Sequence, residues 1–151
     1  MARFWLHCHH LIVEGRKMSK SRGNIVYTDT VLDQGYSADE LRFFLIYGHY
    51  RKKLNYSKGS LDAAVRKLRH FKRKLKEIDT RRNQETMDAK AGKEVKDLFT
   101  GRMDDDLDVK GAFDRLNDFF TKTDLHHLKP NVASGYLKTL REIDTVLKVL
   151  F

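Results

Sequence analysis

A single cysteine and a single proline stand in a chain of 151 residues. Cys8 alone cannot close an internal disulfide, which excludes a disulfide-stapled secreted scaffold and makes a reducing, cytoplasmic compartment the expectation. With Pro130 the only proline and nine glycines in all, long stretches run without a helix breaker. No run of about 18 apolar residues offers a membrane span, and the first residues lack the basic-then-apolar order of a signal peptide. Acidic charge is in deficit: 21 Asp and Glu face 30 Lys and Arg, giving a net charge of +9. That excess favours a polyanionic partner over an acidic small molecule. It is also lopsided, with 19 basic and 8 acidic residues before position 83 against 11 and 13 after it. An anion-binding face therefore belongs to the first half.

Patterning predicts a mainly α-helical protein. A short strand at Leu11-Ile12-Val13, a turn at Gly15 and a basic loop open the chain. Ser37-Ala38-Asp39-Glu40 has the spacing of a capping box, which starts a helix from about Ala38 to Tyr47 that buries Leu41, Phe44 and Leu45. From about Ser60 to Ile78, Leu61, Ala64, Leu68, Phe71, Leu75 and Ile78 recur at three- and four-residue steps, the mark of an amphipathic helix. Thr80 to Thr86 reads as a linker. Further helical windows lie at about 88–100, closed by Gly101, at 109–123, and at 132–150, capped by Asn131 after Pro130. Each apolar stripe needs the others for cover, so the expected architecture is a short β-hairpin and loop with a helical segment, followed by an antiparallel bundle of about four helices.

Two segments carry chemistry. Lys17-Met18-Ser19-Lys20-Ser21, continuing as Arg22-Gly23-Asn24, places two ammonium groups three positions apart among small hydroxyls, a composition that suits a loop closing over a triphosphate. On composition alone a solvated basic loop is the alternative. Between Val65 and Lys76 stand seven basic residues and no acidic one. Arg66, Lys67, Arg69, Lys72, Arg73, Lys74 and Lys76 are read as one positive face, whose self-repulsion a phosphate backbone would relieve; a solvated surface is the alternative. Arg51-Lys52-Lys53 with Asn55 and Tyr56 adds charge and an aromatic for stacking on an unpaired base. His7-Cys8-His9-His10 offers four donors in four residues, but adjacent positions cannot converge on one tetrahedral ion, so no metal site is expected and a partly buried strand or helix end is. Asp104-Asp105-Asp106 and Asp108 are read as capping the following helix.

The five-residue string Lys17 to Ser21 resembles the KMSKS motif of class I aminoacyl-tRNA synthetases. Phe4-Trp5-Leu6-His7, His10 to Gly15, Ser21 to Asn24, Ala38 to Leu45, His49-Tyr50-Arg51 and Leu54 to Ser57 are together similar to cysteinyl-tRNA synthetase, and Met103 to Val109 leading into Ala112 resembles the start of that family's DALR-type helical bundle. The resemblance implies a division at 1–57, the end of the class I catalytic fold with its stem-contact region, and 58–151, a tRNA-binding bundle. It implies ATP and a cysteine tRNA as partners, with no membrane partner. Lys20, aided by Lys17, would stabilise the ATP phosphates during adenylate formation, while Met18, Ser19 and Ser21 shape the loop. The family's HIGH motif, adenine pocket and zinc site have no counterpart here, so zinc is not expected and the chain alone is expected to be inactive without a separate N-terminal half. A non-catalytic assembly or regulatory protein built on the same bundle is the competing expectation.

Overall fold

The computed structural model describes residue 3, residues 5–82 and residues 86–151. Phe4 and positions 83–85 of the expected linker lie outside the described residues. The chain divides into two compact units, Met1–Val65 and Arg66–Phe151. No helix among the described residues is long and apolar enough to cross a membrane.

The first unit holds a three-stranded sheet of order β2-β1-β3, formed by β1 (Leu11–Val13), β2 (Arg16–Lys17) and β3 (Leu54–Tyr56). β1 and β2 make the expected hairpin, pairing Val13 with Arg16. Its two turn residues, Glu14 at φ 47° and Gly15 at φ 74°, are both left-handed, as the mirror-image turn that matches strand twist requires. β3 was not foreseen. It pairs parallel to β1, with Leu11 opposite Leu54 and Val13 opposite Tyr56, and a parallel pair needs a long crossover, here carrying α1 (Thr28–Asp33) and α2 (Ala38–Tyr47).

Helix α2 has the expected bounds and cap: Ser37 Oγ accepts from the Glu40 amide at 3.4 Å and Glu40 Oε2 from the Ser37 amide at 3.0 Å. Its buried face is different from the expected one. Phe43 and Phe44 are buried, Leu41 is half-buried and Leu45 is exposed. The rings explain the rotation, because Phe43 stacks on Tyr47 at 4.9 Å and Phe44 meets Tyr56 edge-on at 5.9 Å, and paired rings contribute beyond their buried area.

Helix α3 (Lys58–Asp79) begins in the first unit and continues into the second. Every apolar residue of its expected stripe is buried. In the second unit α3 is joined by α4 (Ala89–Met103), α5 (Val109–Lys122) and α6 (Pro130–Leu147). Their shared core is aromatic: Phe71 lies 4.8 Å from Phe113, and Phe120 packs edge-on against Tyr136 at 5.4 Å. α4 is capped by Asp88, whose Oδ1 accepts from the Lys90 and Ala91 amides; of the acidic run expected to cap α5, Asp108 does so by accepting from the Gly111 amide, while Asp104 stands at the C-terminal end of α4.

Three boundaries differ from expectation. Gly101 does not end α4; the helix runs on to Met103, where the Arg102 and Met103 carbonyls accept from the Asp108 and Leu107 amides. Asn131 does not cap α6, because Pro130 itself occupies its first turn, where a fixed φ and a missing N–H cost nothing. Leu150 is buried but lies beyond the helix. Lys148 turns left-handed at φ 57°, and the Asp144 carboxylate accepts from the Val149, Leu150 and Phe151 amides at 2.8, 2.8 and 3.2 Å, folding the tail back so that Val149 and Leu150 are covered.

α4 and α6 approach closely because two glycines face each other. A Cβ on Gly135 would overlap the Asp88 carbonyl oxygen, and one on Gly92 would lie 2.8 Å from Thr139 Oγ1. Gly135→Ala is expected to destabilise the chain by about 1–3 kcal/mol through overpacking. Gly101→Ala, with open space around it, is expected to stabilise by about 0.5 kcal/mol as a helix interior gains alanine. Urea unfolding of the two variants checks both signs.

Candidate functional site

The Lys17–Ser21 loop leaves β2 directly. Met18 and Ser19 are half-buried, whereas Lys17, Lys20 and Ser21 are exposed. Ser19 is extended, Lys20–Arg22 form one 3₁₀ turn, and Gly23 ends it in the left-handed region at φ 64°. Ser19 Oγ lies 3.4 Å from Ser21 Oγ. The loop is closed by Asn24, which the sequence showed only as the last residue of the motif string. Its Oδ1 accepts from the Ser19 amide at 3.0 Å and its Nδ2 donates to the Lys17 carbonyl at 3.2 Å. One side chain thus ties both ends of the loop, and asparagine is the residue type that offers a donor and an acceptor on one short amide. Two residues of the sheet hold the preceding turn: Asn55 Oδ1 accepts from the Gly15 amide at 2.9 Å, and the Tyr56 carbonyl accepts from the Glu14 amide at 2.9 Å. The result presents two ammonium groups to solvent from a braced backbone, with no carboxylate between residues 16 and 24. Such an arrangement can neutralise charge on a polyphosphate without rebuilding the loop.

Arg51, Lys52 and Lys53 occupy the turn between α2 and β3 and are exposed there. The Lys52 amide donates to the His49 carbonyl at 2.8 Å, and the Arg51 guanidinium sits 5.1 Å over the Tyr50 ring. Tyr56 does not serve as a stacking platform here: it is buried against Phe44, and burial, then Glu14 and Asp62, push its phenol above the ordinary range. Tyr50 is the half-buried aromatic beside the cations.

On the second-unit part of α3, Arg66, Arg69, Arg73 and Lys76 are exposed and Lys67 and Lys72 half-buried. The four exposed cations fall at i, i+3, i+7 and i+10, one line about 15 Å long. Lys67 differs in that its ammonium pairs with Asp114 at 2.8 Å. Lys74 leaves the positive face altogether. It is 9% exposed, and its ammonium donates to the Asn117 carbonyl at 3.2 Å, to Asn117 Oδ1 at 3.3 Å and to Thr121 Oγ1. Burial pulls its pKa below the usual lysine value, with Asp118 opposing. Position 74 falls between the apolar positions 71, 75 and 78, so helical phase turns it inward. His70 stands beside Arg73, Nδ1 to Nη2 3.3 Å, and burial, then the Lys74 and Arg73 charges, hold its imidazole below the ordinary histidine range.

His7, Cys8, His9 and His10 are exposed and belong to no strand or helix, which corrects the expected burial. The His9 amide donates to the Tyr50 carbonyl at 3.0 Å, and the His7 ring stacks on Trp5 with centroids 6.4 Å apart. Among the described residues no cluster of His, Cys, Asp and Glu is arranged to hold a metal ion.

Residues 1–66 match the family model described as tRNA synthetases class I (C) catalytic domain. The whole chain aligns with cysteine--tRNA ligases: 35% identity over 99% of this chain with that of Chlamydia pneumoniae, 34% over 98% with that of Chlamydia muridarum, and 31% over 99% with that of Solibacter usitatus. The chain is homologous to part of cysteine--tRNA ligase. It spans about a third of the length of these relatives, 33 to 34%. The homology covers both the Lys17–Ser21 loop and the basic part of α3.

Asn24→Ala releases the Ser19 amide and the Lys17 carbonyl together. Losing two hydrogen bonds of about 1 kcal/mol each should raise local opening by roughly tenfold or more. Limited trypsin digestion read by mass spectrometry is expected to show faster cleavage after Lys17, Lys20 and Arg22, with the urea midpoint unchanged.

Proposed function

We propose that this chain is a tRNA-binding portion of a cysteine--tRNA ligase. The exposed line Arg66, Arg69, Arg73 and Lys76, with Lys67 and Lys72 at its edges and Arg51 to Lys53 as further contacts, engages the phosphate backbone. Lys20, with Lys17 beside it, holds the ATP phosphates when the intact enzyme joins cysteine to its tRNA. The observation that carries the reading is the line of four exposed cations with no acidic residue between Val65 and Lys76, in a chain 99% of which aligns with about a third of a cysteine--tRNA ligase. A helix face of one sign is destabilised by its own repulsion, and a run of phosphates neutralises it while releasing counterions.

In adenylate formation the amino-acid carboxylate attacks the α-phosphate of ATP and pyrophosphate leaves. Negative charge grows on the leaving group, and an ammonium poised beside it lowers the barrier because the charge is stronger there in the transition state than in the ground state. Lys20 sits on an exposed turn that Asn24 braces, so it reaches such a group from a fixed base.

Fluorescence anisotropy with a cysteine tRNA transcript and an unrelated tRNA tests the reading. Binding is expected to favour the cysteine tRNA and to weaken linearly on a log-log salt plot, and replacing Arg69, Arg73 and Lys76 by Gln should flatten the slope by roughly one for each phosphate left without its cation. Equal affinity for both RNAs with an unchanged slope in the triple variant contradicts it.

His70 adds a pH dependence. Its proton is disfavoured in the unbound chain by burial first and then by the Lys74 and Arg73 charges, and a phosphate on Arg73 offsets the last of these and raises the His70 pKa. The complex then binds more protons than the unbound chain, so affinity rises as pH falls through the histidine range, by at most about tenfold per pH unit for one proton. Because the unbound imidazole titrates below the ordinary histidine value, His70→Gln is expected to remove the rise on the acidic side of that value, in the same titration.

A further inference from the structure

Two arginines bracket the Lys17–Ser21 loop and have no task in tRNA binding or in the chemistry assigned to Lys20. Arg16 precedes Lys17 on β2, and Arg22 closes the 3₁₀ turn that begins at Lys20. Both are exposed, and with Asn24 they line a cavity of about 530 Å³. Among the described residues, neither guanidinium has a hydrogen-bond or carboxylate partner. Asn24 contributes little to a ligand there, since its amide oxygen and nitrogen are both taken by the loop backbone.

The charge density defines what fits. Arg16, Lys17, Lys20 and Arg22 put four cations into seven residues without an acid. An RNA strand brings one charge per nucleotide, spread along its length, whereas a polyphosphate concentrates several on adjacent groups. A guanidinium also meets two phosphate oxygens through two parallel N–H bonds in one plane, a fixed fork that a point-like ammonium lacks. The hairpin fixes Arg16 through the pairing of Val13 with Arg16, and the left-handed Gly23 with the Asn24 clasp fixes the end of the turn carrying Arg22.

We propose that Arg16 and Arg22 form a second anion clamp that grips the polyphosphate chain of a nucleotide beside Lys20. The clamp rests on the reading of the loop as a nucleotide-phosphate loop and extends it to two residues outside the five-residue motif. It gives the terminal phosphates planar, bidentate ligands, while Lys20 remains the point charge nearest the reacting group.

The test uses the full chain and inorganic tripolyphosphate, followed by isothermal titration calorimetry, with circular dichroism as a check on folding. R16Q/R22Q is expected to weaken binding at least about tenfold, each arginine supplying a charge-assisted contact. R16K/R22K should recover only part of the loss, because the charge returns without the fork. The variant K90Q/K122Q removes the same net charge elsewhere and is expected to bind as the wild type does. Unchanged affinity in R16Q/R22Q alongside lost affinity in K20Q overturns the clamp and leaves the loop reading standing. Absence of tripolyphosphate binding by the wild-type chain overturns the loop reading and the clamp with it. A loss of tRNA affinity in R16Q/R22Q with tripolyphosphate affinity unchanged also overturns the clamp, by assigning the arginines to RNA.

Discussion

Helix α3 has to bury Leu68, Phe71, Leu75 and Ile78, each no more than 3% exposed, and that requirement decides where its cations go. An apolar stripe at three- and four-residue steps leaves the opposite positions to solvent. Arg66, Arg69, Arg73 and Lys76 occupy those positions and line up along the helix. The core holds the stripe in place through Phe71, which packs on Phe113 and Phe120, while α4 and α6 close on each other through Gly92 and Gly135. Hydrophobic burial, a term without direction, thereby produces a directed electrostatic surface. The cost is repulsion among like charges on one face, which the fold reduces where Lys67 pairs with Asp114 and where Lys74 is turned inward onto neutral oxygens.

The loop in the first unit obeys a different constraint. Its cations are presented from a short backbone segment that would fray without support, because loop ends have few buried contacts. Support comes from polar side chains rather than from a core: Asn55 holds the Gly15 amide and Asn24 holds both ends of the loop. Each asparagine satisfies backbone groups that would otherwise compete for ligand oxygens. The two cationic regions are thus built by opposite means, one by covering apolar surface and the other by pinning polar backbone.

Local patterns were legible in the sequence and non-local ones were not. The capping box at Ser37 and Glu40, the hairpin turn at Gly15 and the stripe of α3 depend on residues a few positions apart, and they stand as expected. The parallel partner strand at Leu54–Tyr56 pairs with β1 across a long crossover and left no periodic signal in so short a segment. Tyr56 was therefore mistaken for a surface aromatic, when its pairing with Val13 takes it inward. Leu45 lies outside because ring packing of Phe43 and Phe44 outweighs simple hydrophobicity. Lys74 lies inside because helical phase, not charge, decides which way position 74 faces. Asn24 lay in plain view at the end of the motif string, but nothing in a string says which amide a side chain will reach. The KMSKS resemblance located the loop; only the geometry showed what closes it.

If the cationic line on α3 in the second unit and Arg51 to Lys53 in the first each meet tRNA, RNA must perturb those residues first. The most direct measurement is a titration of the uniformly nitrogen-15-labelled chain with cysteine tRNA, followed by amide chemical shifts at moderate salt. The account predicts that the largest shifts and line broadening fall on residues 51–53 and 66–76, with the amides of α4 and α6 nearly unmoved. Perturbations confined to α4 and α6, or a spectrum unchanged at saturating RNA, would contradict it.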